Sequence, residues 1–257
     1  MNRHDLMKIA METVALGDKE SKELLDAVEN TVSYPNDCEL PEMLRRKFVN
    51  SKCIVKNAVT LEVAKALIDH ELNPVALNFA SATRPGGGFL KGTEAQEEYL
   101  ARNSFLYHCI KDNPMYAFHK EMGDKLYTDY MIYSPDVPVV RDEYSNLLEK
   151  PYPCSIITAA AVNKTSLRGG VAENVILAEM EKRIDKVLTI AAHHRHDSLV
   201  LGAWGCGVFG NDPEAIAKLF KTALDGKFKD TFKCVAFAVL DRSFSGHVFN
   251  TFREILG

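Results

Sequence analysis

Apolar positions along the chain recur with two different periods, and the change from one to the other divides it. Over residues 1–50, Leu6, Ile9, Ala10 and Val14, then Leu24, Leu25 and Val28, are spaced as on one face of a helix among charged neighbours. Turn formers follow at residues 34–37 and at Pro41. From Cys53 short apolar runs take over. Residues 53–57 and 75–80 read as strands, the second bounded by Pro74 and a glycine-rich loop, and residues 61–71 between them have helical spacing through Val63, Leu67 and Ile68. Residues 94–110 are again helical in pattern, while 130–141 and 155–161 are strand-like. Residues 171–192 form an amphipathic helix pattern, with Leu177, Met180, Ile184, Val187, Leu188 and Ala191 on one face. Residues 198–204, 213–224 and 234–240 then read strand, helix, strand.

Apolar strands alternating with helices predict an α/β fold in which a buried, parallel or mixed sheet lies between helical layers. The expected organisation is one structural unit, with a helical extension over residues 1–50 and an α/β domain over residues 51–257. The chain shows no repeat at solenoid or propeller periods and no low-complexity linker.

Composition narrows the class. With 257 residues, 46% hydrophobic and 26% charged, the chain has the make-up of a globular protein with a sizeable core. Lys+Arg 31 against Asp+Glu 35 gives a net charge of −4, which argues against a protein that coats nucleic acid and leaves room for a local cationic pocket. The six cysteines form no CxxC, so a zinc ribbon or thioredoxin-type site is not expected. Reduced thiols suit a reducing compartment. No signal-peptide core or membrane-length apolar run stands in the sequence, and a cytoplasmic protein is expected.

Three segments carry candidate chemistry. Residues 78–89 (NFASATRPGGGF) directly follow an apolar strand. Three consecutive glycines let a ligand touch the backbone, and successive free N–H groups form an anion-binding nest. In open α/β sheets ligands gather at the carboxyl ends of strands. The plainer alternative is a long turn. Residues 205–210 (GCGVFG) match the dinucleotide fingerprint GxGxxG, a weak signal alone. Asn211-Asp212-Pro213 reads as an N-cap with proline at the first helical position, so the helix begins after the last glycine and the loop is more open than a dinucleotide turn. Phe209 at its tip is placed to pack on a ribose or base. Two such loops suit a clamp around a diphosphate. The third segment is Gln96-Glu97-Glu98, seven residues beyond the glycines. Neighbouring helix residues point about 100° apart, so the two carboxylates are expected to differ in role, one facing the cleft and one orienting it or capping backbone. A carboxyl near phosphates and apolar walls has a raised pKa and serves as a general acid. The alternative is a solvated helix face.

Other features are discounted. His193, His194, Arg195 and His196 are expected at a solvated helix end rather than on a metal. Trp204 reads equally as a packed strand end or a ligand neighbour. Cys206 reads as a small residue allowing close backbone approach, not a nucleophile. Arg84 and Lys91 read as rim charges.

Taken together, Asn78-Phe79-Ala80-Ser81, Pro85-Gly86-Gly87-Gly88-Phe89-Leu90 and Gln96-Glu97-Glu98 resemble the GGG-X(6–8)-QEE signature of poly(ADP-ribose) glycohydrolases. Tyr133-Ser134-Pro135-Asp136-Val137-Pro138 and the stretch from Trp204 to Pro213 resemble the microbial-type branch. The resemblance runs from about Cys53 to Leu240 and is weaker in the N-terminal helices. It implies a macrodomain-like three-layer α/β/α fold with a mixed central sheet and an N-terminal helical extension. It implies hydrolysis of the 1″–2′ ribose–ribose bond of poly(ADP-ribose), from chain ends, with Glu98 as the acid and Glu97 holding ribose hydroxyls. Asn78, Gly86, Gly87, Gly88 and Gln96 would line the ligand, as would Gly205, Cys206, Gly207, Val208, Phe209 and Gly210. No cofactor and no metal is implied. The partners would be poly(ADP-ribose) or ADP-ribosylated macromolecules, with ADP-ribose as product, no membrane, no general nucleic-acid binding and a monomeric state. Three alternatives stay open: a module that binds ADP-ribose without cleaving it, a hydrolase of mono-ADP-ribosylated protein or nucleic acid, and a nicotinamide-dependent oxidoreductase.

Overall fold

The computed structural model describes residues 1–43, 47–167 and 170–257. Helix α1 (Arg3–Gly17) opens with a capping box in which Asn2 accepts from the Asp5 amide and Asp5 reaches back to the Asn2 amide. Helix α2 (Lys22–Glu29) is capped by Ser21. Then come β1 (Val32–Tyr34), β2 (Lys52–Lys56), α3 (Thr60–Asp69) and β3 (Pro74–Phe79). Helices α4 (Gln96–Asn103), α5 (Leu106–Ile110) and α6 (Pro114–Met122) lead into the hairpin of β4 (Met131–Arg141) and β5 (Leu147–Ala159). The chain continues through α7 (Glu173–His193), β6 (Ser198–Leu201), α8 (Pro213–Asp225), β7 (Cys234–Ala238) and α9 (His247–Leu256).

The strands form one seven-stranded sheet in the order β1-β4-β5-β3-β6-β7-β2. The β1–β4 and β4–β5 pairs are antiparallel, and every other pair is parallel. Alternate residues of the inner strands enter different cores. Val75, Leu77, Ile157, Leu199, Leu201 and Phe237 pack with Ile184 of α7, Phe220 of α8 and Phe252 of α9. Ala76, Ile156, Val200 and Ala236 pack with Leu24, Leu61, Leu100, Leu106 and Met115 of the helices on the other face. Burial on both faces is why these strands read as continuous apolar runs. The result is three layers, α/β/α, around a mixed sheet.

Several elements differ from the sequence expectation. The helix expected over residues 94–110 is cut at Ser104, whose backbone is extended and whose hydroxyl donates to Leu100 O at 2.8 Å, so α4 and α5 are separate. Strand β5 is far longer than expected, because its first half is an exposed hairpin arm holding Pro151 and Pro153. Strand β6 ends at Leu201 and Trp204 lies in the following loop. Strand β1, helix α6 and helix α9 fall outside the expected elements. Only part of the run after α7 is a solvated helix end, Arg195 being exposed and His193 half-buried. His196 is buried and its Nε2 lies 2.9 Å from the Tyr133 hydroxyl, while His194 stacks on the Tyr133 ring with centroids 3.7 Å apart.

Helix α1 is bound to the layer that carries α4. The Thr13 hydroxyl donates to Arg102 O at 2.7 Å and accepts from Arg141 Nε at 2.9 Å, and Arg3 Nε donates to Lys91 O at 2.8 Å. The carboxyl ends of β3, β5, β6 and β7 face one edge of the sheet, and the loops beyond them gather there.

Candidate active site

The site grows from the end of β3 and the start of α4. Gln96 straps the two together. Its Oε1 accepts from the Phe79 amide at 2.9 Å, and its Nε2 donates to Leu77 O at 2.8 Å and to Thr60 Oγ1 at 3.0 Å. The amide is thus engaged on both ends by the protein itself, although the sequence reading groups Gln96 with ligand-lining residues.

This strap sets the two following carboxylates. Glu97 Oε2 accepts from the Ser81 amide at 2.7 Å, and Glu98 Oε1 accepts from the Gly88 amide at 2.9 Å. Both side chains are buried, at 4% and 7% exposure, so the solvated-face alternative does not hold. They converge on Gly87. A Cβ there would lie 2.5 Å from Glu98 Oε1 and 2.9 Å from Glu97 Oε2, and the backbone is left-handed at φ +59°. Glycine is therefore required twice over, by space and by conformation. Position in the first turn of α4 favours negative charge at both residues. Burial nevertheless pushes the Glu97 carboxyl well above the usual carboxylate range, and the neighbouring Glu98 charge adds to it. The Ser81 and Gly86 amides and the Asn78 side chain oppose the rise. Among the described residues Glu97 Oε1 has no hydrogen-bond partner. Neither has Oδ1 of the fully buried Asn78, whose Nδ2 donates to Thr158 Oγ1 at 3.2 Å. One turn beyond Glu98, Arg102 is buried and donates to Thr93 O at 2.6 Å, bracing the return from the glycine loop.

The second loop rises from the end of β6. Trp204 lies fully buried beneath it, with Nε1 donating to Ala159 O at 3.2 Å. Asn211 closes the loop, its Nδ2 donating to Val162 O at 2.8 Å and Gly205 O at 3.2 Å. Gly205, at φ +78°, leaves no room for a side chain, since a Cβ would lie 2.5 Å from Asn211 Nδ2. Asp212 caps α8 by accepting from the Ala215 amide at 3.2 Å, with Pro213 in the first turn. The loop crest is open: nothing lies within 4 Å of a Cβ on Gly207, and Val208 is 84% exposed. Phe209 folds inward against Ala82 of the first loop, Ala160 and Tyr127. Burial pushes the Cys206 thiol up to about 12, so it carries no thiolate near neutral pH. Arg84 and Lys91 are exposed at the rim.

The structure thus assembles Asn78, the glycines 86–88, Glu97 and Glu98, and residues 205–210 approach the first loop where Phe209 packs on the cluster that holds Ala82, Tyr127 and Ala160. Sequence reasoning misses the residues that hold this arrangement: Thr60, Arg102, Thr165 and the amide of Asn211. Thr60 accepts from the Gln96 side chain, Thr165 Oγ1 donates to Val208 O, and Arg102 and Asn211 donate to backbone carbonyls, contacts that the fold sets and that leave no spacing to read. Asn211 does carry a signal in Asn-Asp-Pro, which points to the helix start rather than to the loop.

Fold and site together define a macrodomain-like α/β protein whose first glycine-rich loop folds over a buried pair of acids. The family profile described as microbial-type PARG, catalytic domain, matches residues 8–142. The poly(ADP-ribose) glycohydrolase of Thermomonospora curvata superposes with a TM-score of 0.91 at 36% identity, over 98% of this chain and 100% of that one. The same enzyme bound to the inhibitor ADP-HPD gives 0.89 at 36% identity, over 98% and 99%. The Deinococcus radiodurans enzyme in complex with ADP-ribose gives 0.80 at 36% identity, over 90% and 95%. No curated protein sequence matches. The chain belongs to the microbial-type poly(ADP-ribose) glycohydrolases, a family of glycosidases. No helix among the described residues is long and apolar enough to cross a membrane.

Proposed function

We propose that this chain hydrolyses the 1″–2′ ribose–ribose bond of poly(ADP-ribose) from chain ends and releases ADP-ribose. The observation that carries the reading is the meeting of Glu97 and Glu98 at Gly87, with Glu97 Oε1 and Asn78 Oδ1 buried and without a partner among the described residues. Buried polar atoms left unpaired are expensive, and a bound hydroxyl relieves them. The ADP-ribose and ADP-HPD complexes of the related enzymes support the same ligand.

In this reading the two glycine-rich loops clamp the diphosphate of the terminal unit. Glu97 and Asn78 hold hydroxyls of its distal ribose, and Phe209 packs against that sugar. Glu98, oriented by the Gly88 amide, gives its proton to the leaving 2′ oxygen. The C1″–O bond breaks with its electron pair going to that oxygen, and an oxocarbenium-like centre forms at C1″. The substrate's own diphosphate supplies nearby negative charge, so one acid suffices where most glycosidases use two carboxylates. Water then adds to C1″, and its departing proton restores the Glu98 acid. No step uses a metal or redox cofactor.

Release of ADP-ribose from poly(ADP-ribose) by wild type and Glu98→Gln tests the reading. Glutamine keeps an oxygen for the Gly88 amide but has no proton of suitable acidity. Wild type is expected to release ADP-ribose, and Glu98→Gln to release none while still gaining thermal stability from ADP-ribose. That gain is about 2.7 kcal/mol at roughly 100 Kd. Full turnover by Glu98→Gln overturns the role of Glu98. Binding without release by wild type points to an ADP-ribose reader or a mono-ADP-ribosyl substrate.

A further inference from the structure

Outside every motif lies a segment, residues 125–127, that forms a third wall behind Phe209. Its geometry is set by Arg183, a fully buried side chain of α7. Arg183 Nη2 donates to Leu126 O at 2.7 Å and to Tyr127 O at 3.1 Å, and Nη1 donates to Ala160 O at 3.2 Å. In extended backbone successive residues face opposite ways. Here two consecutive carbonyls meet one nitrogen, and Tyr127 adopts a left-handed conformation with φ +57°. For a bulky residue that conformation is an outlier, and such strain gathers at functional sites.

The strained residue is directed at the cleft. The Tyr127 ring lies between His119, at 5.6 Å between centroids, and Phe209, at 6.4 Å. It shares a small apolar cluster with Phe209, Ala82 of the first glycine loop and Ala160. Backbone bonds tie the same partners from the other side. Lys125 O accepts from the Asn163 amide at 3.2 Å, the Thr165 amide donates to Phe209 O at 3.2 Å, and Thr165 Oγ1 donates to Val208 O at 2.9 Å. Segment 125–127, the turn at 163–165 and the tip of the second loop thus form a closed circuit. Tyr127 joins it through its ring, and Arg183 holds it from beneath.

We propose that Arg183 and Tyr127 are positioning residues for ADP-ribose: Arg183 locks segment 125–127 in the conformation that backs Phe209 with the Tyr127 ring, and this backing sets how tightly the second loop closes on the ligand. The inference rests on the reading of the cleft as an ADP-ribose site. Neither residue touches the reacting bond, so their effect falls on affinity and KM rather than on kcat.

The test compares Tyr127→Gly, Tyr127→Ala and Arg183→Lys by calorimetric ADP-ribose binding, melting temperature, and separate kcat and KM on poly(ADP-ribose). Glycine adopts the left-handed backbone freely and alanine does not, so Tyr127→Gly melts at or above Tyr127→Ala. Both lack the ring. An aromatic contact of this kind is worth a few-fold to about tenfold in an equilibrium constant, and both variants are expected to lose ADP-ribose affinity by that factor. KM rises with it and kcat stays within about twofold. Arg183→Lys, whose ammonium does not span three carbonyls, shows the same split. Wild-type affinity in Tyr127→Gly overturns the proposal, as does an affinity loss that follows melting temperature instead of the missing ring. Wild-type affinity in Arg183→Lys overturns the role of Arg183. Wild-type protein that does not bind ADP-ribose overturns the reading of the whole cleft, and this proposal with it.

Discussion

Replacing Gly87 by alanine probes the point where both acids meet. The added Cβ would stand 2.5 Å from Glu98 Oε1, so that oxygen must retreat by almost an ångström to reach the 3.4 Å at which ordinary contact begins. The retreat lengthens its 2.9 Å bond from the Gly88 amide, which orients the acid. A misplacement of about 1 Å at a reacting group lowers rate by roughly 10²-fold, or about 2.7 kcal/mol of barrier. Separately, a left-handed alanine costs about 1–2 kcal/mol, which lowers Tm by roughly 2–8 °C in a chain of this size. Gly123→Ala isolates the second effect. Gly123 ends α6 at φ +69° with nothing within 4 Å of its Cβ position, so alanine there meets the conformational penalty and no clash. Melting curves and release of ADP-ribose from polymer are measured for both. Gly87→Ala is expected to lose at least as much stability as Gly123→Ala, and it alone loses about 10²-fold in kcat/KM. A Gly87→Ala value within about threefold of Gly123→Ala refutes the reasoning, because the carboxylates would then have room to yield without losing alignment.

Two further outcomes follow from protonation. Unfolded chain releases the Glu97 proton near pH 4.3, whereas the folded protein retains it well above that range. Between those limits the folded state binds more protons, so stability falls as pH rises, by up to about 1.4 kcal/mol per pH unit. Glu97→Gln has no such proton to lose and is expected to gain on wild type in urea unfolding between about pH 5 and pH 8, while a constant difference contradicts the burial-driven rise. Burial pushes the thiols of Cys109, Cys154 and Cys206 up to about 12, and Cys206 is the one that stands in the second loop. Iodoacetamide at about pH 7.5 is therefore expected to leave the rate of polymer hydrolysis unchanged, and fast inactivation that ADP-ribose prevents contradicts it.

The inner layers of the fold are legible because their residues answer to one constraint. Strands β3, β6 and β7 are buried on both faces and show it as apolar runs, and α7 carries a stripe through Ile176, Met180 and Ile184 that widens until every residue from Lys186 to Ala192 is buried. Strand β1 has three residues, too few for a period, and exists because β4 pairs with it. Helices α6 and α9 have readable features, the Asn113 cap before Pro114 and the spacing of Val248, Phe252 and Leu256, that lie outside the expected elements. The break at Ser104 depends on a bridge to Val139, which no local pattern contains. In the cleft, the glycines and acids are legible because they sit in contiguous motifs. The meeting of Glu97 and Glu98 on one glycine is not, because it depends on the loop folding back over α4.

Strand β2 has a consequence for how the molecule is made. Among the described residues it pairs only with β7, Lys52 lying beside Cys234 and Lys56 beside Ala238. On a ribosome adding about 5–20 residues per second, β2 waits roughly 10–40 s for its partner. During that interval its open edge is a template for any other strand, including the β2 of a neighbouring nascent chain. Lysines at both ends, Lys52 and Lys56, give two such edges like charges to bring together. They guard both edges of β2 until β7 is synthesised, and afterwards the outer edge, since β2 is the terminal strand of the finished sheet.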